Sequence, residues 1–349
     1  MDKTKKLLIN LLCMFIPSKP LRKKLRNKLN GTDIIKTLNH KHYGKIYLPL
    51  YNLEFAQSAE EPEIYNEDGE RMRTFFIRDL QCAQSPLGIK SKYFLTDRFN
   101  FGLKTHFYSH QAMLETMGNP DKKFGFLFES MAIVPEDYKI FDKHKGLNKD
   151  FDLIFTYDEK ILNKYDNAVF VPFCANVWYG TFGGGERNPE VYKNKSKNIS
   201  ICSSDKTQCE LHVVRLNLAK KLKKENLADT FGTFDGGNFI NIADTLTDYR
   251  YSFAIENIIE PYFFTERLLN CFASMTIPIY IGANKIDEFF NPDGIIKVSV
   301  KDLDNIENII KQCTKEEYEA RIPAIIDNYN RVQSYYNNRW DDLYQKYFK

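Results

Sequence analysis

The chain has 349 residues, a length that suggests two domains, and its 43% hydrophobic content supplies ordinary packed cores. The net charge of +3 is uneven: residues 1–30 hold nine basic side chains against Asp2 alone, so the remaining body carries −5 and is no general polyanion binder. Seven cysteines at scattered spacing, with no Cys-x-x-Cys pair, argue against a zinc knuckle and point to reduced, mostly buried thiols in a cytoplasmic protein.

The leader comes first. Residues 7–17 are apolar apart from Asn10, a run shorter than the ~20 residues that span a bilayer. No small-residue cleavage site follows, and Lys19, Arg22, Lys23, Lys24, Arg26 and Lys28 raise the basic density instead, which argues against a secretory signal. The expectation over residues 1–30 is a basic amphipathic segment lying on an anionic cytoplasmic leaflet, peripheral to the membrane. A solvated helix packed on the body is the alternative.

A first body covers residues 31–185. Short apolar runs at 75–77, 93–95, 124–128, 153–155 and 169–171 predict strands, with helices and loops between them, the alternation of an α/β layer. His106 and His110 are four apart, a metal-compatible helical spacing, but no acidic partner is fixed nearby, and both read as structural or acceptor-site histidines. Glu129 ends an apolar run and precedes Ser130. Gly183, Gly184 and Gly185, with the polar run 187–198, predict a linker; a P-loop needs a Gly-Lys-Ser/Thr ending that is not there.

A second body covers residues 186–325. Residues 198–203 predict a strand running into the polar turn Ser203-Ser204-Asp205. Leu211, Val214, Leu218 and Leu222 predict an amphipathic helix over 210–224, which carries Arg215. Phe231-Gly232 ends a further strand. Asp302-Leu303-Asp304 looks like a metal-binding Asp-x-Asp, but it lies between the predicted strand 295–300 and the apolar segment 306–310, and helix capping is the better reading. Residues 326–349, rich in Tyr, Lys and Arg with Trp340, predict an aromatic and basic terminal helix. The negative balance of the body argues against nucleic acid.

The most informative stretch is 251–270. Residues 253–255 predict a strand, and Glu256 and Asn257 come where it should end. A loop containing Pro261 follows, and Thr265-Glu266-Arg267 opens a helix with Leu268, Leu269 and Phe272 at helical spacing. Residues 277–281 predict the next buried strand, ended by Gly282. Ligands of open α/β sheets bind outside the carboxyl ends of the strands. A helix start there suits a phosphate, and Arg267 adds a planar cation.

Together, Glu256-Asn257, Thr265-Glu266-Arg267, the strand ending at Gly282 and the turn Phe290-Asn-Pro-Asp-Gly-Ile295 resemble the signature of the α-1,3-fucosyltransferases, glycosyltransferase family ten, of bacterial type. Two positions depart from it. The family lysine is Arg267, which keeps the charge, and the family tyrosine is Phe263, which removes a hydroxyl; neighbouring Tyr262 is the candidate to replace it. Glu129-Ser130 and the segments 152–155 and 169–173 resemble the first domain of the same family. The resemblance implies two Rossmann-like α/β domains facing a cleft, the GT-B arrangement. It implies inverting transfer of fucose from GDP-fucose to a hydroxyl of a surface glycan, a polysaccharide or lipopolysaccharide; the readings of His106, His110 and Asp302 add the expectation of no obligatory metal or other cofactor. In it Glu129 is the general base, Arg215 and Arg267 hold the diphosphate, and Glu256, Asn257 and Glu266 position fucose and ribose. Each residue has a plainer reading: Glu129 as a capping carboxylate, Arg215 as a surface arginine, Glu256 as an ion-pair partner, Asn257 as a loop cap, Glu266 as a first-turn glutamate favouring the helix dipole. Another GDP-linked deoxysugar as donor, or a non-catalytic glycan-binding protein, are the alternative functions.

Overall fold

The computed structural model describes residues 35–40, 44–49, 59–79, 91–98 and 100–349. The leader over residues 1–30, with the membrane expectation attached to it, lies outside the described residues. The chain divides into two compact units, Met1–Phe126 with Ile140–Ile154, and Leu127–Lys139 with Phe155–Lys349.

In the first unit Ile35–His40 (β1) and Gly44–Pro49 (β2) form an antiparallel hairpin. Ile64–Tyr65 (β3) pairs antiparallel with Arg71–Arg78 (β4), and β4 pairs parallel with Phe94–Asp97 (β5) and Thr105–Ser109 (β6). Lys122–Leu127 (β7) adds a further parallel partner to β6. Residues 74–77 of β4 are all buried, as expected of a strand covered on both faces. The rings of Phe75, Phe94 and Phe107 pack 4.9–5.7 Å apart. His106 sits on β6, not on a helix, with its ring nitrogens 2.8 Å from Tyr108 Oη and 2.8 Å from Leu103 O. Burial pushes its pKa down to about 3, so it is a neutral core histidine. His110 lies beyond the strand end, so the helical metal spacing is not realised.

Leu153–Thr156 (β8) leads the chain into the second unit. Glu159–Lys164 (α1) follows, capped by Asp158, which accepts from Ile161 N at 2.8 Å; Ala168–Phe170 (β9) comes next. The main body of the unit is one parallel sheet of Lys197–Cys202 (β10), Asp229–Phe231 (β11), Tyr249–Ile255 (β12), Ile277–Ile281 (β13) and Ile296–Lys297 (β14), in the order β11-β10-β12-β13-β14. Its helices include Glu210–Lys224 (α2), Ile242–Leu246 (α3), Glu266–Ala273 (α4), Ile322–Val332 (α5) and Arg339–Leu343 (α6). Strand alternation sends Tyr251, Phe253, Ile255, Ile277, Ile279 and Ile281 into one core with Leu211, Leu218 and Leu222 of α2. Ala254 and Tyr280 face the other core, with Leu268, Leu269 and Phe272 of α4 and Val332 of α5. Helices thus cover both faces of a doubly wound α/β sheet. The chain goes from β10 out to β11, then returns past β10 to β12, so the topological switch point lies between β10 and β12.

The α/β class agrees with the sequence reading, but three details differ. The boundary expected at residue 185 falls inside the second unit. Ala243 N donates to Gly183 O, and Trp178 N and Tyr179 N donate to Asn270 Oδ1, so a segment with linker composition is tied to α3 and α4. The strand expected over 295–300 is only two residues, because Ser299 and Asp302 form a reciprocal capping box that opens a 3₁₀ turn. Asp302 is therefore a cap, as read from the sequence. Residues 326–349 are not one helix: α5 ends at Val332, and Asn338 caps the separate α6. Arg339 donates to Pro172 O and Ala175 O, and Tyr336 donates to Tyr179 O, which fastens the tail to residues 172–179.

Candidate active site

The site begins where β12 ends. Glu256 follows Ile255 and is fully buried. Its Oε1 accepts from Thr265 N at 2.9 Å and its Oε2 from Thr265 Oγ1 at 2.7 Å. Thr265 is the N-cap of α4, and its Oγ1 accepts in turn from Arg267 N at 3.3 Å. A buried carboxylate thus anchors the start of the helix from nine residues upstream. Burial pushes its pKa from 4.5 up to about 7, with Arg267 at 3.9 Å opposing the rise and Glu266 adding to it. Gly282, which ends β13, makes room for this side chain. A Cβ there would lie 2.5 Å from Glu256 Cγ and 2.3 Å from the Tyr280 hydroxyl.

Glu256 itself is not among the residues that line the cavity described next. Both its oxygens lie on Thr265, so it acts on the start of α4. Asn257 is likewise absent from the cavity lining described next. Its Oδ1 meets His212 Nε2 at 2.9 Å, which ties the loop after β12 to α2.

A cavity of about 380 Å³ opens at the carboxyl ends of β10 and β11, beside the switch point. It brings together three of the expected residues, Arg215, Glu266 and Arg267. Arg215 is buried on α2 and donates to Ile255 O at 2.7 Å. Burial pulls its pKa down to about 10, and the charge of Arg267 pulls the same way. Burial also disfavours the charge of Arg267, but Glu266 and Glu256 outweigh it and hold that pKa above its ordinary value. Glu266 Oε1 lies 3.2 Å from the Arg267 guanidinium. At neutral pH the cavity therefore contains two guanidinium ions that repel each other, an arrangement an anion would relieve.

Sequence reasoning missed the rest of the wall. The turn after β10 contributes Cys202, Ser203, Ser204, Asp205 and Lys206, and Trp178, Gly232, Phe239 and Asn270 also line the cavity. Gly232 has φ +97, and a Cβ on it would stand 2.1 Å from Ser203 O, so only glycine lets the ends of β10 and β11 approach this closely. Phe239 is 91% exposed, an aromatic face open at the cavity. A signal existed for Asn270, which lies three residues after Arg267 and so on the same helix face. None existed for Trp178, which arrives from a distant segment.

Glu129 follows β7 and is half-buried. The sequence placed it in the first body; the structure places it in the second unit. Its Oε1 accepts from Ser130 N at 2.7 Å, and its carbonyl accepts from Tyr138 Oη at 2.6 Å and Tyr157 Oη at 3.4 Å. Nearby, Cys174 donates to Phe128 O at 3.0 Å. Burial raises the pKa of that thiol, and Glu129, Glu266 and Glu256 raise it further, so all three carboxylates act on one sulfur. Glu129 is not part of the cavity lining. Phe263 is buried against the Tyr157 ring at 4.8 Å. Tyr262 does not take its place in the cavity: its hydroxyl accepts from Lys285 Nζ at 3.0 Å. Among the described residues there is no group of three or more His, Cys, Asp or Glu side chains arranged to hold a metal.

Residues 192–321 match the model for glycosyltransferase family 10 (fucosyltransferase), C-terminal domain. Among solved structures, the chain is similar to an α1,3-fucosyltransferase with GDP, at 15% identity and TM-score 0.48 over 80% of this chain and 93% of that one. It is also similar to an α1,3-fucosyltransferase with GDP-fucose, at 14% identity and TM-score 0.47 over 82% of this chain and 94% of that one.

Proposed function

We propose that the protein, whose residues 192–321 match the glycosyltransferase family 10 (fucosyltransferase) model, moves fucose from GDP-fucose to a hydroxyl of a surface glycan, a polysaccharide or lipopolysaccharide, with inversion at the anomeric carbon. The observation that carries this reading is the pairing of Arg215 and Arg267 in one cavity at the switch point of a parallel sheet.

The two guanidinium ions hold the diphosphate. Negative charge grows on it as the bond to the anomeric carbon breaks, and fixed cations lower the barrier by stabilising that charge. Glu266 accepts hydrogen bonds from ribose hydroxyls, and Trp178 and Phe239 offer apolar faces to the base. The acceptor oxygen bonds to the anomeric carbon from the opposite side, GDP departs, and the acceptor proton passes to Glu129. Glu256 and Asn257 act on the site through Thr265 and His212, without touching the sugar.

A panel of GDP-sugars assayed with truncated glycan acceptors tests the proposal. The expected result is fucose transfer with inverted configuration. Retained configuration, faster transfer of another GDP-deoxysugar, or binding without turnover would each overturn it. The basic leader over residues 1–30 supports a place on the inner face of an anionic membrane. Equal binding of full-length and leader-deleted protein to anionic vesicles would refute that part.

A further inference from the structure

We propose that Asn270 is a ligand-binding residue, donating its Nδ2–H to an acceptor atom on the nucleoside part of the bound nucleotide sugar. This rests on the function proposed above and adds to it a neutral contact that selects the nucleoside. Asn270 is fully buried and lines the cavity. Its Oδ1 accepts from Trp178 N at 2.8 Å and from Tyr179 N at 2.9 Å. Two backbone donors on one atom fix which end of the carboxamide is oxygen, since a flipped amide would set N–H against N–H. The orientation of Nδ2 is therefore determined, and Nδ2 has no hydrogen-bond partner among the described residues.

An amide nitrogen left unpaired inside a protein is unfavourable, and the native chain keeps it beside a cavity. Asn270 lies three and four residues after Arg267 and Glu266, on the same face of α4 but one turn further along the helix. The cations of the cavity, Arg215, Arg267 and Lys206, suit the diphosphate. Asn270 is neutral, and it holds the backbone of Trp178, the aromatic residue of the same wall. With three cations already available to the diphosphate, we assign its counterpart to the nucleoside, a carbonyl or ring nitrogen of the base or a ribose oxygen.

The test compares the full chain with Asn270→Asp, an isosteric change that keeps an oxygen for Trp178 and Tyr179 and removes the donor. GDP binding is measured by calorimetry, and inorganic pyrophosphate by competition. The added negative charge weakens both ligands, so the readout is the ratio of the pyrophosphate to the GDP dissociation constant. That ratio should fall about tenfold or more in Asn270→Asp, the effect of one lost hydrogen bond together with its unpaired partner. An unchanged ratio overturns the inference, even if both affinities drop. Should the variant fail to fold, the wild-type chain with ¹⁵N-labelled asparagine decides. The Asn270 side-chain amide signal should shift on adding GDP but not on adding pyrophosphate, and any other pattern refutes the assignment. If the wild type binds no GDP at all, it is the function proposed above that fails.

Discussion

Replacing Glu256 by Gln removes a buried titration while keeping the shape of the anchor under α4. In the folded chain burial raises this carboxyl from 4.5 to about 7. The folded state therefore holds the proton more tightly than the unfolded state. The associated stability is fully present below pH 4.5 and is lost as the pH rises through 7. At about 1.4 kcal/mol per unit, the loss is of order 3 kcal/mol between those limits. Glu256→Gln has no such titration. Wild type minus variant should thus become less favourable by about 3 kcal/mol from pH 4.5 to above 7 and stay flat at higher pH, because every other titrating group cancels in the difference. Urea unfolding of both proteins at intervals across this range measures it. A difference that does not change with pH would mean that Glu256 is ionised throughout, and that the helix start rests on an ordinary ion pair with Arg267.

Arg267→Ala should raise the donor KM and lower kcat, because the diphosphate contact strengthens as charge develops, while Arg267→Lys should retain much of the activity; unchanged donor titration in Arg267→Ala would refute the phosphate assignment. Glu129→Gln should lower kcat by about 10²–10⁴-fold with GDP affinity nearly unchanged, and a variant that instead loses GDP binding would make Glu129 a donor ligand. Gly282→Ala, whose new methyl would press on Glu256 and Tyr280, should lower stability by about 1–3 kcal/mol in urea unfolding, and a neutral effect would mean that this contact relaxes freely.

The second unit was more legible from sequence than the first, for physical reasons. Parallel strands covered on both faces leave solid apolar runs, so 277–281 was read to the residue, and apolar side chains at helical spacing did the same for 210–224. The signature residues Thr265, Glu266 and Arg267 are contiguous, and a helix start displays them together. What the sequence did not disclose was the burial of Glu256. Its position at a strand end suggested a ligand contact, but burial and the two bonds to Thr265 make it internal, and burial at a loop entrance has no local pattern in sequence. The linker expected around Gly183 to Gly185 failed for a related reason. Glycine-rich composition reports backbone freedom, and here that freedom serves tight packing: Cβ atoms at Gly183 and Gly185 would lie 2.5 Å from Ile242 Cγ2 and 2.7 Å from the Tyr179 ring.

The same buried acid sets how strongly the cavity attracts an anion. While Glu256 holds its proton, Glu266 is the carboxylate that balances Arg267, and the surplus positive charge of Arg215 remains for a ligand. Once Glu256 ionises, its oxygen 3.9 Å from Arg267 cancels part of that attraction. The reciprocal effect follows by linkage: a bound diphosphate near Arg267 disfavours the ionised form of Glu256 and raises its pKa further. GDP binding near pH 7 should therefore take up a fraction of a proton. Calorimetry of the same titration in buffers of different ionisation enthalpy measures it, and because the terminal phosphate of GDP also titrates near this pH, the readout is wild-type uptake minus that of Glu256→Gln. That difference should be positive, and a difference of zero would refute the coupling between the bound phosphates and Glu256.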